Sequence, residues 1–260
     1  MSNTKEELQQ EIQRLYSEEG VKGNDNWGKV RNPDQFDRKV REYEFGSRTC
    51  FEKKNDQAYA DLQASRGLSL DPEKSIDENL EWVDKDSDNL PPNDIARIQE
   101  LMELIDFDKL ENFIELGFRS PRLLKFYKQH FKSCIGYDIV KANVLTSKCL
   151  GYECEVHDLS SEKSIDLKEK SIVAAYHVFE HLQDPLQTLN KIYKNLCPDS
   201  YFHIEIPLEN VDEPVVRYAH CTSFRLGDLE LMLKDAGFSI IFNVVGNNTQ
   251  RILAKKWKNF

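Results

Sequence analysis

Beyond residue 110 the chain alternates short apolar runs with amphipathic stretches, and this alternation constrains the fold more than any other feature of the sequence. The apolar runs at 112–116, 135–139, 152–157, 171–176, 201–206, 238–245 and 251–254 have the length and β-branched or aromatic content of strands. Between them, 121–131, 141–150, 185–196 and 226–236 carry apolar residues at helical spacing, as with Leu123, Leu124, Tyr127 and Phe131. Strands separated by helices of about three turns build βαβ units, hence a mostly parallel sheet covered by helices on both faces. Such a sheet binds ligands beyond the carboxyl ends of its strands, where the strand order reverses. Functional residues are therefore expected just after each strand, near 115–120, 138–140, 157–160, 176–182 and 207–222.

Residues 1–105 have another texture. They carry 15 Lys and Arg against 24 Asp and Glu, whereas 106–260 carry 20 against 21. A helix is expected from Thr4, with Glu7 completing a capping box and Leu8, Ile12, Leu15 and Tyr16 on one face. A second is expected over 34–45, showing Phe36, Val40 and Tyr43. The acidic run 71–94 reads as a solvated linker or exposed helix face. After Pro91-Pro92, Asn93 or Asp94 is placed to cap a helix carrying Ile95, Ile98, Leu101, Met102 and Ile105. The division is a helical extension or cap over 1–105 and an α/β domain over 106–260. Locally basic 29–54, with Arg31, Arg38, Arg41 and Arg48, suits surface charge first and a phosphate or carboxylate grip second.

The composition excludes several classes. With 40% hydrophobic residues, 14 Phe and 10 Tyr, the 260-residue chain has the material for a core. No run reaches the ~18 apolar residues a membrane helix needs. The opening residues carry Lys5, Glu6, Glu7 and Glu11 and do not read as a signal peptide, so the expected compartment is the cytoplasm. A net charge of −10 disfavours nucleic-acid binding. Six cysteines without a Cys-x-x-Cys pattern are expected reduced and mostly buried, with no zinc-thiolate site.

The strand ends carry Glu115-Leu116-Gly117-Phe118-Arg119-Ser120-Pro121, Gly136-Tyr137-Asp138, Val156-His157-Asp158-Leu159 and Tyr176-His177-Val178-Phe179-Glu180-His181-Leu182-Gln183-Asp184-Pro185. In order and spacing, over about residues 110–256, these segments resemble the class I S-adenosylmethionine-dependent methyltransferases, in particular the subgroup with a Glu-His-Leu-x-Asp-Pro segment. Leu196-Cys197-Pro198 and Asp235-Ala236-Gly237-Phe238 fit the same pattern. The resemblance implies a seven-stranded, mostly parallel Rossmann-like sheet and S-adenosylmethionine as cofactor, with S-adenosylhomocysteine as product. It assigns Asp138 to the ribose diol, Asp158 to the adenine amino group, and Ile139 and Leu159 to the walls around the base. Glu115 and the backbone at Gly117, with Phe118, face the aminoacyl end; Tyr176, His177 and His181 complete the cofactor-binding set. The chain departs from the family where loop glycines give way to Arg119 and Pro121. Arg119 then brings a side chain toward the cofactor, either pairing its carboxylate or marking a domain that binds without catalysis.

For chemistry, His177 is the first candidate base and His220 the second, because a hydroxyl acceptor loses a proton as the methyl bond forms. His177-Val178-Phe179-Glu180-His181 also matches an inverted zinc-peptidase pattern, but a strand running directly into His177 removes the helix that pattern requires. Some methyltransferases hold a divalent metal with a Glu-x-x-Glu-His segment; with His177 in place of its first carboxylate, no metal is expected, and His177, Glu180, His181 and His220 form the alternative metal set. The expected reaction is O-methylation of a small polar acceptor, a sugar or phosphorylated metabolite. No nucleic acid or membrane partner is expected, and a homodimer is allowed.

Overall fold

A computed structural model describes residues 2–17, 36–43, 46–53, 70–71, 73–209, 220–246 and 248–257, with side chains over 3–15 and from residue 70 onward. Seven strands form one sheet: β3 (Asn112–Leu116), β4 (Ser133–Asp138), β5 (Glu153–Val156), β6 (Ser171–Tyr176), β7 (Tyr201–Pro207), β8 (Ser239–Gly246) and β9 (Thr249–Lys255). Their order is β5-β4-β3-β6-β7-β9-β8. Pairing is parallel from β5 through β7, and β9 runs antiparallel to both its neighbours. The chain builds outward from β3 to β5, then returns to β6 on the other side of β3, so the order reverses between β3 and β6.

Register sets the strand ends level with one another. Leu116 pairs with Tyr137 on one side and Ala175 on the other, Asp138 with Val156, and Tyr176 with Glu205. The five parallel strands thus end along one line. β3 and β6 are apolar on both faces, because helices cover both. One core holds Val173, Ala175, Phe202, Ile204 and Leu229; the opposite face packs Ile172, Ala174, Phe113 and Leu101. Gly136 of β4 answers a close approach: a Cβ there would lie 2.6 Å from the Phe118 ring.

The helices between strands are α4 (Arg122–Tyr127), α5 (Lys141–Cys149), α6 (Pro185–Asn195) and α7 (Asp228–Asp235); the last three lie close to their expected spans, while α4 ends at Tyr127, four residues short of the expected 131. N-terminal to the sheet lie α1 (Ser2–Ser17), α2 (Ile76–Asp86) and α3 (Pro92–Leu104). The first helix begins two residues before Thr4, and Leu8, Ile12 and Leu15 are buried with Leu80 and Val83 of α2 and Leu145 of α5. The acidic run is therefore no bare linker. Its helix α2 has a Ser75–Glu78 capping box, and its far end is tied to α4 by Arg122–Asp86 and by Lys125 with Asp84 and Asp88. Helix α3 is capped at Pro91 with Pro92 in its first turn, not at Asn93 or Asp94.

The helix expected over 34–45 is a strand. β1 (Phe36–Tyr43) pairs antiparallel with β2 (Gly46–Lys53) along its whole length. Phe36 and Val40 are four apart, a spacing that puts residues on one face of a helix and on one face of a strand alike; an eight-residue partner following at once decides for the strand. The side chains of Arg31, Arg38, Arg41 and Arg48 lie outside the described residues. Among the described residues no helix is long and apolar enough to cross a membrane, and the five described cysteines are free thiols, two of them buried.

Candidate active site

A cavity of about 600 Å³ opens at the carboxyl ends of β3, β4, β5 and β6, at the point where strand order reverses. The twelve residues that the sequence assigns to cofactor binding or catalysis line it: Glu115, Gly117, Phe118, Arg119, Asp138, Ile139, Asp158, Leu159, Tyr176, His177, His181 and His220. Its size lies within the range that encloses a nucleoside-sized ligand.

The loop after β3 approaches the loop after β6 closely. Gly117 has φ +68°, and a Cβ there would lie 2.5 Å from Val178 Cγ2. Arg119, at a position where the resemblance leads one to expect glycine, also takes a left-handed backbone, φ +43°. Its backbone N–H donates to Asp138 Oδ2 at 3.0 Å. Asp138 further accepts from Val140 N–H (2.7 Å) and Asn143 Nδ2 (3.2 Å), so this carboxylate holds the two loops together while facing the cavity. Asp158 accepts from Ser160 N–H at 2.8 Å, which forms the turn after β5. Glu115 is fully buried at the end of β3. Burial, reinforced by Asp94, pushes its pKa well above the ordinary 4.5, against the pull of Arg97 and Arg122.

The half of the cavity beneath β6 is ionic. His177 has φ +56°, and Glu205 of β7 grips it twice: the backbone N–H donates to Glu205 O at 2.9 Å, and Nε2 lies 2.9 Å from Glu205 Oε1. Its Nδ1 lies 3.4 Å from Glu180 Oε1, and the ring remains 41% open. The two glutamates outweigh burial and raise its pKa to about 9. A pKa there favours the imidazolium at neutral pH, whereas the sequence reading takes His177 as the first candidate base. Glu205 also pairs with Arg97 of α3 and with Arg251 of β9, and Arg251 pairs with Glu100. The Arg97 guanidinium stacks 4.2 Å over the Tyr176 ring, whose hydroxyl meets His203 Nδ1 at 2.7 Å.

His220 is held differently. Its Nδ1 lies 2.5 Å from Glu209 Oε1, and its ring packs edge-on against His181 at 4.9 Å between centroids. A donor bond from Nδ1 leaves Nε2 as the basic nitrogen. Ligand atoms of Glu180, His181 and His220 all lie within 4.8 Å of one another, and Glu180 Oε2 is buried without a hydrogen bond. The sequence reading missed Asp94, Arg97, Ser120, Arg122 and Asn143 as lining residues. Asp94 and Arg97 stand on α3, on the far side of a boundary at 105/106, and no motif marks them.

A family model described as a methyltransferase domain matches residues 90–242, a span that takes in α3. No curated protein matches the sequence. Among solved structures, an S-adenosylmethionine-dependent methyltransferase from Mesorhizobium loti superposes with a TM-score of 0.51 at 11% identity, over 62% of this chain and 98% of that one. An O-methyltransferase family protein from Burkholderia thailandensis gives 0.51 at 12% identity, over 68% of this chain and 60% of that one. A cyclase, SpnF, gives 0.52 at 11% identity, over 74% and 86%. At such identities these likenesses establish the fold, and the fold alone does not fix the reaction.

Proposed function

The chain belongs to the methyltransferase-domain family, and on that premise we propose that it methylates an oxygen of a small polar acceptor, a sugar or phosphorylated metabolite, with S-adenosylmethionine as donor. When bound, the cofactor supplies an electrophilic methyl group on sulfur. The residues present suit it: a cavity at the strand-order reversal, acids at three successive strand ends, and a buried Glu115 oxygen awaiting a donor. Asp138 would receive the ribose diol, Asp158 the adenine amino group, and Ile139 and Leu159 would flank the base.

The observation that carries the acceptor side is the His220–Glu209 pair. A carboxylate on Nδ1 fixes the ring and its tautomer, so Nε2 is oriented to take the proton of an acceptor hydroxyl. The imidazolium of His177, compensated by two buried glutamates, orients polar groups of the acceptor rather than accepting a proton. An ionic, histidine-rich wall suits a hydroxylated acceptor better than an apolar one. The test begins with S-adenosylhomocysteine in thermal unfolding. At 100 times its dissociation constant it should add about 2.7 kcal/mol of stability. No shift at millimolar concentration overturns the reading. With an acceptor in hand, His220→Ala should cost about 10²–10⁴-fold in kcat.

A second reading rests on the Glu180, His181 and His220 cluster. Two imidazoles and one carboxylate suit a divalent first-row cation, with Glu209 as the outer partner of His220. A cation there would acidify an acceptor hydroxyl, which does His220's work by another route. Calorimetric titration with Mn²⁺ alone separates the two. Binding that His181→Ala abolishes favours the metal; no binding, with turnover unaffected by chelator, leaves His220 as base.

A further inference from the structure

From Ala236 to Gln250 the chain has no charged side chain, the longest such run in a sequence that is 31% charged. A run of that kind suits a strand covered on both faces, as β6 is. This one instead supplies β8, the last strand of the sheet. It pairs with β9 on one side and, among the described residues, with nothing on the other. No residue of β8 is buried, and Ile241 and Val245 are 41% and 50% exposed. Unpaired N–H and C=O groups along an open, uncharged edge are a template for another strand, which is why edges ordinarily carry charge or are short. The opposite edge of this sheet follows that rule: β5 has four residues, with Glu153 and Glu155 exposed on it.

We infer that β8 pairs antiparallel with β8 of a second copy across a two-fold axis, so that the two sheets of a homodimer run on as one. Three features select a second copy as the occupant. An antiparallel edge is complementary to itself, which is the isologous contact a two-fold requires. The chain carries a net charge of −10, and an edge without charge is where two copies meet with least like-charge opposition. Glu230 of α7, bonded to Asn243 of β8 at 3.0 Å, is itself paired with Lys234 at 2.5 Å and adds no net charge beside the edge. The short, acidic β5 then closes the assembly at two, because it offers no second open edge. The bulge between Ile240 and Phe242 sets the register by leaving 242–246 as the regular segment. Its centre is Val244, which places the axis there and sets Val245 of each copy opposite Asn243 of the other. Val244 also pairs with Arg251 of β9, which grips Glu205, so the partner strand braces the hairpin that brings this arginine to the ionic half of the cavity. The inference does not depend on the methyltransferase reading.

The test is oligomeric state, read by sedimentation equilibrium of the full chain across concentration. A strand pair this short buries less than the ~1,200 Å² of a standard interface, so a reversible dimer is expected, with a dissociation constant on the order of 100 µM. Val245→Lys and Val245→Glu each change an exposed side chain and put like charges on both sides of the axis. Either variant alone should weaken the dimer about tenfold or more. An equimolar mixture of the two should associate again, since the mixed dimer brings opposite charges together, and that recovery reports that both variants are folded. Wild-type protein that stays monomeric to about 1 mM overturns the proposal. So does a dimer that neither variant weakens, a mixture that associates no better than its components, or an assembly that grows past two copies.

Discussion

The two halves of the cavity are built by different means. Beneath β3, β4 and β5, each side chain follows from its place at a strand end, and its partners are local: Asp138 is bonded within the span 119–143, Asp158 to Ser160. Beneath β6 and β7 the groups are held from afar. Glu205 meets residues 97, 177 and 251, and no two of these belong to one element. The first half is a property of the sheet, and the second depends on α3 staying docked. Recognition of the cofactor's nucleoside should therefore survive damage that disables the acceptor side.

The largest effect tests that dependence. Arg97→Ala removes a buried guanidinium that Asp94 and Glu205 share, Arg97 and Glu205 being 9% and 1% exposed; Glu205 keeps His177 and Arg251 and Asp94 keeps Arg122, so the loss is a partial break of the network. Breaking a buried pair by removing one partner costs about 3–5 kcal/mol. The denaturation midpoint should fall accordingly, and a loss below ~1 kcal/mol would mean that water screens the network. In protein that remains folded, affinity for 5′-methylthioadenosine, which has the nucleoside of S-adenosylhomocysteine and ends in a methyl group, should be little changed. Equal damage to nucleoside binding would erase the distinction between the halves.

Next comes Asp138→Ala. A carboxylate accepting from the ribose diol contributes about 1.5–3 kcal/mol, and both nucleosides have the diol. Both affinities, for S-adenosylhomocysteine and for 5′-methylthioadenosine, should fall together. If only S-adenosylhomocysteine weakens, Asp138 is not at the ribose.

A smaller effect is set by pH. Burial holds the Glu115 pKa well above 4.5, so the group takes a proton while ordinary glutamates are still ionised. The folded state then binds the proton more tightly than the unfolded chain does, and this group's contribution to stability shrinks as pH rises through its titration. Ligand preference runs the other way, because the ammonium needs the ionised form. As pH falls, S-adenosylhomocysteine should lose affinity relative to 5′-methylthioadenosine before other carboxylates titrate. A constant ratio down to pH 4.5 would place the ammonium elsewhere.

The same division governs what a reader of the sequence can see. Apolar runs mark the strands, strand ends mark the cofactor half, and all twelve residues chosen on that logic line the cavity. The ionic half depends on register. Glu205 faces Arg251 because β7 and β9 pair antiparallel with those residues opposite, and nothing near either residue encodes that pairing. Arg97 looks like any surface arginine of an amphipathic helix until β7 is placed beneath it. His177 was identified by position, but its charge state follows from Glu205, 28 residues on. The hairpin at 36–53 is not legible from spacing, because residues four apart share a face in both periods.

The smallest predicted effect concerns the residue at which the cofactor half departs from its family. Arg119 sits at φ +43°, where a side chain costs about 1–2 kcal/mol. Glycine relieves that strain but gives the unfolded chain more freedom, worth roughly 0.5–1 kcal/mol against it. The bond that fixes the loop runs from the backbone N–H to Asp138, so Arg119→Gly keeps it. The balance is a gain of up to about 1 kcal/mol, read as a higher urea midpoint at unchanged slope. Because that backbone bond is kept, S-adenosylhomocysteine affinity should change by less than about threefold, under 1 kcal/mol. Two outcomes would each redraw the comparison. A clear loss of stability would show that the guanidinium is a structural tie, reaching the acids near it, Asp86 and Asp138. A tenfold loss confined to S-adenosylhomocysteine would give the cofactor carboxylate to the Arg119 side chain and make the departure from glycine a part of the site.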